Sequence, residues 1–218
     1  MKTPVYIAIA LVAAAAGFGI YHFGVAPRSK APEPEAAAQA TPSPEPEAAA
    51  AMPDVLPDFT LADIDGQARS IRSWQGKSMI VNFWATWCAP CRREIPLLKK
   101  LQAKHGAEGF QIVGVAVDFR EDVLKYAQEI GIDYPLLIGE QDGLNAVNKF
   151  GQGSLGFPFT VFTDNQQRIV MFHLGEIRPE QAEVFLGAVS KVNSGELTIA
   201  AARTVAAEQL RKLAPAAE

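Results

Sequence analysis

Hydrophobic and polar positions along the chain change period several times, and the changes mark its elements. The run "MIVNFWA" (Met79–Ala85) is apolar but for Asn82 and rich in β-formers, which predicts a strand buried on both faces. Helical spacing comes next: Ile95, Leu97, Leu98 and Leu101 predict a helix from about Ala89 to His105, closed by Gly106. "FQIVGVAVD" (Phe110–Asp118) predicts a second buried strand, "REDVLKYAQEIG" (Arg120–Gly131) a helix stopped at its glycine, and "YPLLIG" (Tyr134–Gly139) a short strand. "GLNAVNKFG" (Gly143–Gly151) reads as a short helix. "FTVFTDNQQRIVMFHLG" (Phe159–Gly175) reads as a hairpin turning at "DNQQ", and "RPEQAEVFLGAVSKV" (Arg178–Val192) as a helix with Pro179 in its first turn. Upstream, "DFTLADIDGQARSI" (Asp58–Ile71) predicts two short strands about a turn at Asp65–Gly66. Strands alternating with helices, then a hairpin and a helix, describe an α/β fold with helices over a central mixed sheet.

The pattern breaks at both ends. From Pro4 to Ala26 no charged residue occurs, and a helix of that length would run about 34 Å, enough to cross a hydrocarbon core of about 30 Å. Residues 1–26 are therefore read as a transmembrane anchor, with a cleaved signal segment as the rival, and either exports the rest of the chain. Residues 27–53, almost wholly Pro, Ala, Glu and Ser, predict a disordered tether that reaches at most about 80 Å in extended form. The globular domain is placed at 54–193. An Ala-rich helical extension, 194–218, either packs on it or frays.

With 218 residues and a net charge of −4, the chain suits one domain plus extensions and lacks the basic field that nucleic-acid binding needs. Its two cysteines, Cys88 and Cys91, stand where the buried strand gives way to the helix. A sulfur at a helix N-terminus meets free N–H groups and the positive end of the dipole, so its anion is favoured. Moving a thiol from about 8.5 to about 7 takes only about 2 kcal/mol. Cys88 is thus the expected nucleophile, and Cys91, a turn deeper, the resolving thiol. A metal clip and an inert bridge are the alternatives. Arg92 stands where covalent haem attachment wants a His, no further thiols complete a zinc or iron–sulfur site, and His22, His105 and His173 are not placed for a Cys–His hydrolase.

"NFWATWCAPCRREIP" together with the later "GFPFT" resembles the thioredoxin superfamily, specifically its membrane-anchored TlpA/ResA/CcmG-type thiol:disulfide oxidoreductases, over about Asp54–Asn193. The resemblance implies a thioredoxin-like fold, no bound cofactor, and a cis Pro158 facing the cysteine pair. It also implies clients with disulfides, of the apocytochrome c or copper-site assembly kind, reduced on the periplasmic side of the inner membrane with electrons from a membrane donor. Thioredoxins proper carry an Asp where Asn82 stands, and Asn cannot take a proton. Glu94, on the helical face of Cys91, matches an acidic residue of the ResA-like branch and is the candidate proton acceptor, against an ordinary first-turn Glu favoured by the dipole.

The remaining features weigh less. Pro96 bends the helix, Trp84 and Trp87 pack beside the site or recognise clients, and Arg92 and Arg93 read as a solvated face. A Cu(I)-binding metallochaperone is the alternative function, yet Sco-type copper proteins space their cysteines one residue wider and add a His near the cis-proline, where Phe157-Pro158-Phe159 stands. A peroxiredoxin signature, Pro-x3-Thr-x2-Cys, is absent, with Val81 in place of its proline.

Overall fold

The computed structural model describes residues 52–151 and 156–213. The expected anchor lies outside these residues, as do the tether up to Ala51 and the last five residues of the extension. Among the described residues no helix is long and apolar enough to cross a membrane.

Among the described residues seven strands form one mixed sheet: β1 (Thr60–Asp63), β2 (Ala68–Ser70), β3 (Ser78–Trp84), β4 (Phe110–Val117), β5 (Leu136–Gly139), β6 (Phe159–Thr163) and β7 (Ile169–Leu174). Their order across the sheet is β2-β1-β5-β4-β3-β6-β7. The middle strands β5, β4 and β3 run parallel, and β1 and β6 flank them antiparallel. Such a centre must be covered on both faces, which is why every residue of β3 and β4 is buried and why their sequences do not alternate.

Among the described residues five α-helices supply the cover: α1 (Ala89–His105), α2 (Arg120–Ile130), α3 (Gln141–Asn148), α4 (Pro179–Asn193) and α5 (Ile199–Leu213). Side chains of β3 divide by the period of two. Ile80 and Trp84 join the core built with Ile95, Leu98 and Leu101 of α1 and Phe185 of α4. Met79, Val81 and Phe83 join the opposite core, with Ala146 and Val147 of α3 and Phe150. Asn82 shares the parity of Ile80 and Trp84, and so faces α1. Beside it Gly114 has no room for a side chain, since a Cβ there would lie 2.7 Å from Leu136 and 3.1 Å from Trp84 Nε1.

Helices α1 and α2 have the bounds the sequence predicts. Helix α3 starts earlier than expected, at Gln141 rather than Gly143. Gly143 lies inside it against Val117, where an added Cβ would sit 3.2 Å from Cγ2. A 3-10 turn at Ile71–Trp74 has no counterpart in the sequence pattern; the Ser70 hydroxyl caps it by accepting the Arg72 N–H. As far as Leu213 the extension packs rather than frays. Ala202 and Ala206 are buried in the α1/α4 core, and the Arg203 guanidinium donates to the carbonyls of Val170 and Ile169 on the edge strand β7 at 3.0 and 2.7 Å.

Candidate active site at the start of α1

The site forms where β3 ends and α1 begins. After Trp84 the chain turns, with the Cys88 N–H donating to the Ala85 carbonyl. Asp118, at the end of β4, pins this turn: one oxygen accepts the Thr86 N–H at 2.9 Å and the Thr86 hydroxyl, and the other accepts the Phe119 N–H at 2.8 Å. Cys88 then takes the N-cap position in extended conformation, φ −83° and ψ 103°. An N-cap side chain ordinarily offers an oxygen to the first free N–H groups of the helix. Here it is sulfur that accepts, from the Cys91 N–H at 3.3 Å, while Pro90 has no N–H to offer.

The pair is oxidised, with Cys88 and Cys91 joined by a disulfide. Cys88 is 5% exposed and Cys91 fully buried, so the first sulfur is the one an approaching molecule can reach. Reduction would leave the N-cap sulfur facing the same N–H and the same helix end, the setting that favours its thiolate.

Glu94 is not in the first turn of the helix. It lies beneath it, 1% exposed. Its Oε1 accepts from Asn82 Nδ2 at 2.7 Å and its Oε2 from the Ile177 N–H at 3.0 Å. Burial pushes its pKa up to about 7, those two donors pull it down, and the nearby Glu176 carboxylate raises it further. A carboxyl with that value exchanges its proton near neutrality, one helical turn from Cys91.

Phe157–Pro158 is a cis peptide bond, and Pro158 is buried. Phe157 packs edge-on against Trp87 with ring centroids 6.0 Å apart, which brings the proline loop to the residue preceding Cys88. Trp87 is 68% exposed whereas Trp84 is wholly buried, so the two tryptophans have different roles. Beside Trp87 opens a groove of about 390 Å³ lined by Phe119, Glu140, Leu144 and Phe157 among others. On the other side Arg92 and Arg93 are exposed, as expected of a solvated face, with Arg93 paired to Glu176 at 2.6 Å and Arg92 lying 4.9 Å over the Tyr126 ring.

Sequence reasoning does not find Asn82 as a donor to Glu94, Ile177 as the second donor, or Asp118 as the anchor of the turn. The only signals are a polar residue inside an apolar run and an acid at a strand end.

A model of the AhpC/TSA family matches residues 52–172, a span that takes in both cysteines, Glu94 and Pro158. The thiol-disulfide oxidoreductase ResA of Geobacillus thermodenitrificans is 31% identical over 142 residues, covering 65% of this chain and 79% of that protein. Among solved structures, a thiol:disulfide interchange protein of the thioredoxin family from Chlorobium tepidum is 31% identical, with a TM-score of 0.54 over 66% of this chain and 97% of its own. The thioredoxin domain of a thiol-disulfide oxidoreductase from Bacteroides vulgatus is 28% identical, with a TM-score of 0.54 over 65% of this chain and 97% of its own.

Proposed function

The chain belongs to the AhpC/TSA family and is a thioredoxin-like thiol-disulfide oxidoreductase of the ResA type, and from that premise we propose that it reduces disulfides in exported proteins through a Cys88/Cys91 dithiol cycle. The Cys88 thiolate attacks one sulfur of a client disulfide, forming a mixed disulfide and expelling the client's other thiolate, which takes up a proton. Cys91 then loses its proton to Glu94 and attacks the Cys88 sulfur, expelling the client's second thiolate, which takes up a proton as Glu94 gives up its own. The client leaves as a dithiol with two electrons gained, and the protein is left in the disulfide-bonded form described above.

The observation that carries this reading is the Cys88 sulfur at the N-cap of α1, accepting the Cys91 N–H. The exposed Trp87 and the apolar groove beside it offer the client's flanking residues a surface. Residues 4–26 anchor the protein in the inner membrane, the catalytic domain faces the periplasm, and a thiol-reducing membrane protein supplies electrons. Apocytochrome c or copper-site assembly proteins are the client class.

Three measurements test it. Replacing the resolving thiol, Cys91→Ser, traps clients as mixed disulfides at Cys88, and the trapped proteins carry Cys-x-x-Cys or paired exported thiols. Alkylation of reduced Cys88 across pH gives a midpoint well below the free-thiol value of about 8.5; a midpoint at that value overturns the nucleophile assignment. A reduction potential near about −120 mV, that of a strong disulfide donor, overturns the reducing direction.

A further inference from the structure

Asn82 interrupts a strand whose residues are all buried, and it is itself wholly inaccessible. In the sheet it lies opposite Gly114 of β4 and Thr160 of β6. Its Nδ2 donates both hydrogens, one to Glu94 Oε1 at 2.7 Å and one to Thr160 Oγ1 at 2.9 Å. Its Oδ1 is buried and has no partner among the described residues. Each oxygen of Glu94 therefore receives one N–H, from Asn82 and from Ile177, and neither donor is a cation. Other groups face the same carboxyl. Glu176, from the segment before α4, is paired with Arg93. The Tyr134 phenol, from the segment before β5, is raised by its burial and by the Glu94 charge. The Cys91 thiol lies one turn earlier on α1.

We propose that Asn82 is a positioning residue for proton transfer at the cysteine pair: its amide fixes the Glu94 carboxyl and, by donating to it, favours the ionised form against burial, so that a proton taken there can be given up again. The proposal rests on the reading that Glu94 takes the Cys91 proton. A donor-only environment matches the ionised carboxyl, whereas burial and Glu176 favour the protonated one. These opposed influences meet near neutrality, at about 7. An Asp at the same place would set two carboxyls 2.7 Å apart, judged by the present contact. Such a pair holds a shared proton to much higher pH. Exchanging the two residues, Asn82→Asp with Glu94→Gln, reverses donor and acceptor across that contact and leaves one acid and one amide.

The test tracks the Glu94 carboxyl by 13C NMR and the rate of insulin disulfide reduction, both against pH, in the full chain. The wild type gives one carboxyl midpoint near 7. Asn82→Asp splits it and moves the alkaline step up by roughly one unit or more, with about a tenfold lower rate at pH 7. The exchanged pair recovers a single midpoint and most of that rate. Asn82→Ser, which removes the amide without adding charge, moves the midpoint up and serves if the aspartate variant does not fold. A folded variant at residue 82 whose midpoint coincides with the wild type overturns the proposal, even if its stability falls. A wild type that reduces no disulfide at any pH refutes the oxidoreductase cycle instead, and the carboxyl titration then decides the role of Asn82 alone.

Discussion

Among the described residues Glu94 and Asp164 are the two carboxylates least accessible to solvent, and they are held in opposite ways. Asp164, at the turn between β6 and β7, has an inaccessible side chain. Its Oδ1 accepts the Gln166 and Arg168 N–H groups at 3.0 and 2.8 Å, and its Oδ2 meets the Arg168 guanidinium at 2.6 Å. Glu94 has one neutral donor on each oxygen and a like charge nearby. The cation makes the difference. A buried carboxylate that is paired and fully bonded fixes a turn, while one left with neutral donors keeps a proton it can exchange.

The contrast breaks most sharply at Glu94. Glu94→Gln removes the titrating carboxyl, and the reduction rate at neutral pH falls about a hundredfold, the lower end of what a positioned base contributes. The same substitution flattens the stability curve. Because the folded-state pKa is raised from 4.5 to about 7, the folded protein keeps a proton that the unfolded chain would lose. That contribution is fully present below about pH 4.5, declines as pH rises, and is gone above about pH 7, a change of about 3 kcal/mol at about 1.4 kcal/mol per unit. Urea midpoints from pH 4 to pH 8 show this slope in the wild type and lack it in Glu94→Gln. An unchanged slope means that Glu94 does not hold the proton.

At Asp164 the expected effects are reversed. Asp164→Ala leaves two N–H groups of the turn without their acceptor and costs about 2–3 kcal/mol, read as a lower urea midpoint with the same m value. The figure stays below the 3–5 kcal/mol typical of a broken buried pair because the Arg168 side chain is 45% exposed and can turn to water. The pH dependence of the disulfide reduction rate stays that of the wild type. A shift in that profile would mean that the two carboxylates are coupled and not separate in role.

This division is only half legible in the sequence. Local signals locate α1, both cysteines and the face that Glu94 shares with Cys91, because caps, prolines and helical spacing act within a turn or two. What they cannot give is the partner set. Ile177, which supplies the second hydrogen bond to Glu94, lies 83 residues away along the chain, and Thr160 meets Asn82 across 78. Such contacts are fixed by strand order, and the order that sets β6 beside β3 has no local signature. For the same reason the sequence leaves residue 94 open to an ordinary first-turn glutamate, and its place beyond the first turn together with its burial excludes that reading. The Ala-rich extension is ambiguous for a different cause: alanines suit a packed helix and a frayed one alike, and the Arg203 contacts to the β7 edge decide it.

The smallest effect tests the like charge beside Glu94. Glu176 raises the Glu94 pKa through space, though burial is the larger cause. Its side chain is 34% exposed and already neutralised in part by Arg93, so solvent and the guanidinium both weaken its field. Glu176→Gln therefore lowers the Glu94 midpoint, but by less than about half a pH unit, or about 0.7 kcal/mol. The direction is what matters. Freed Arg93 adds a cation near the carboxyl, and that too moves the midpoint down. An upward shift on carboxyl NMR would show that Glu176 holds the segment before Ile177 in place and acts on Glu94 through the Ile177 N–H. The neutral-donor contrast with Asp164 would then rest on the backbone at residue 177, and the charge of Glu176 would have no part in it.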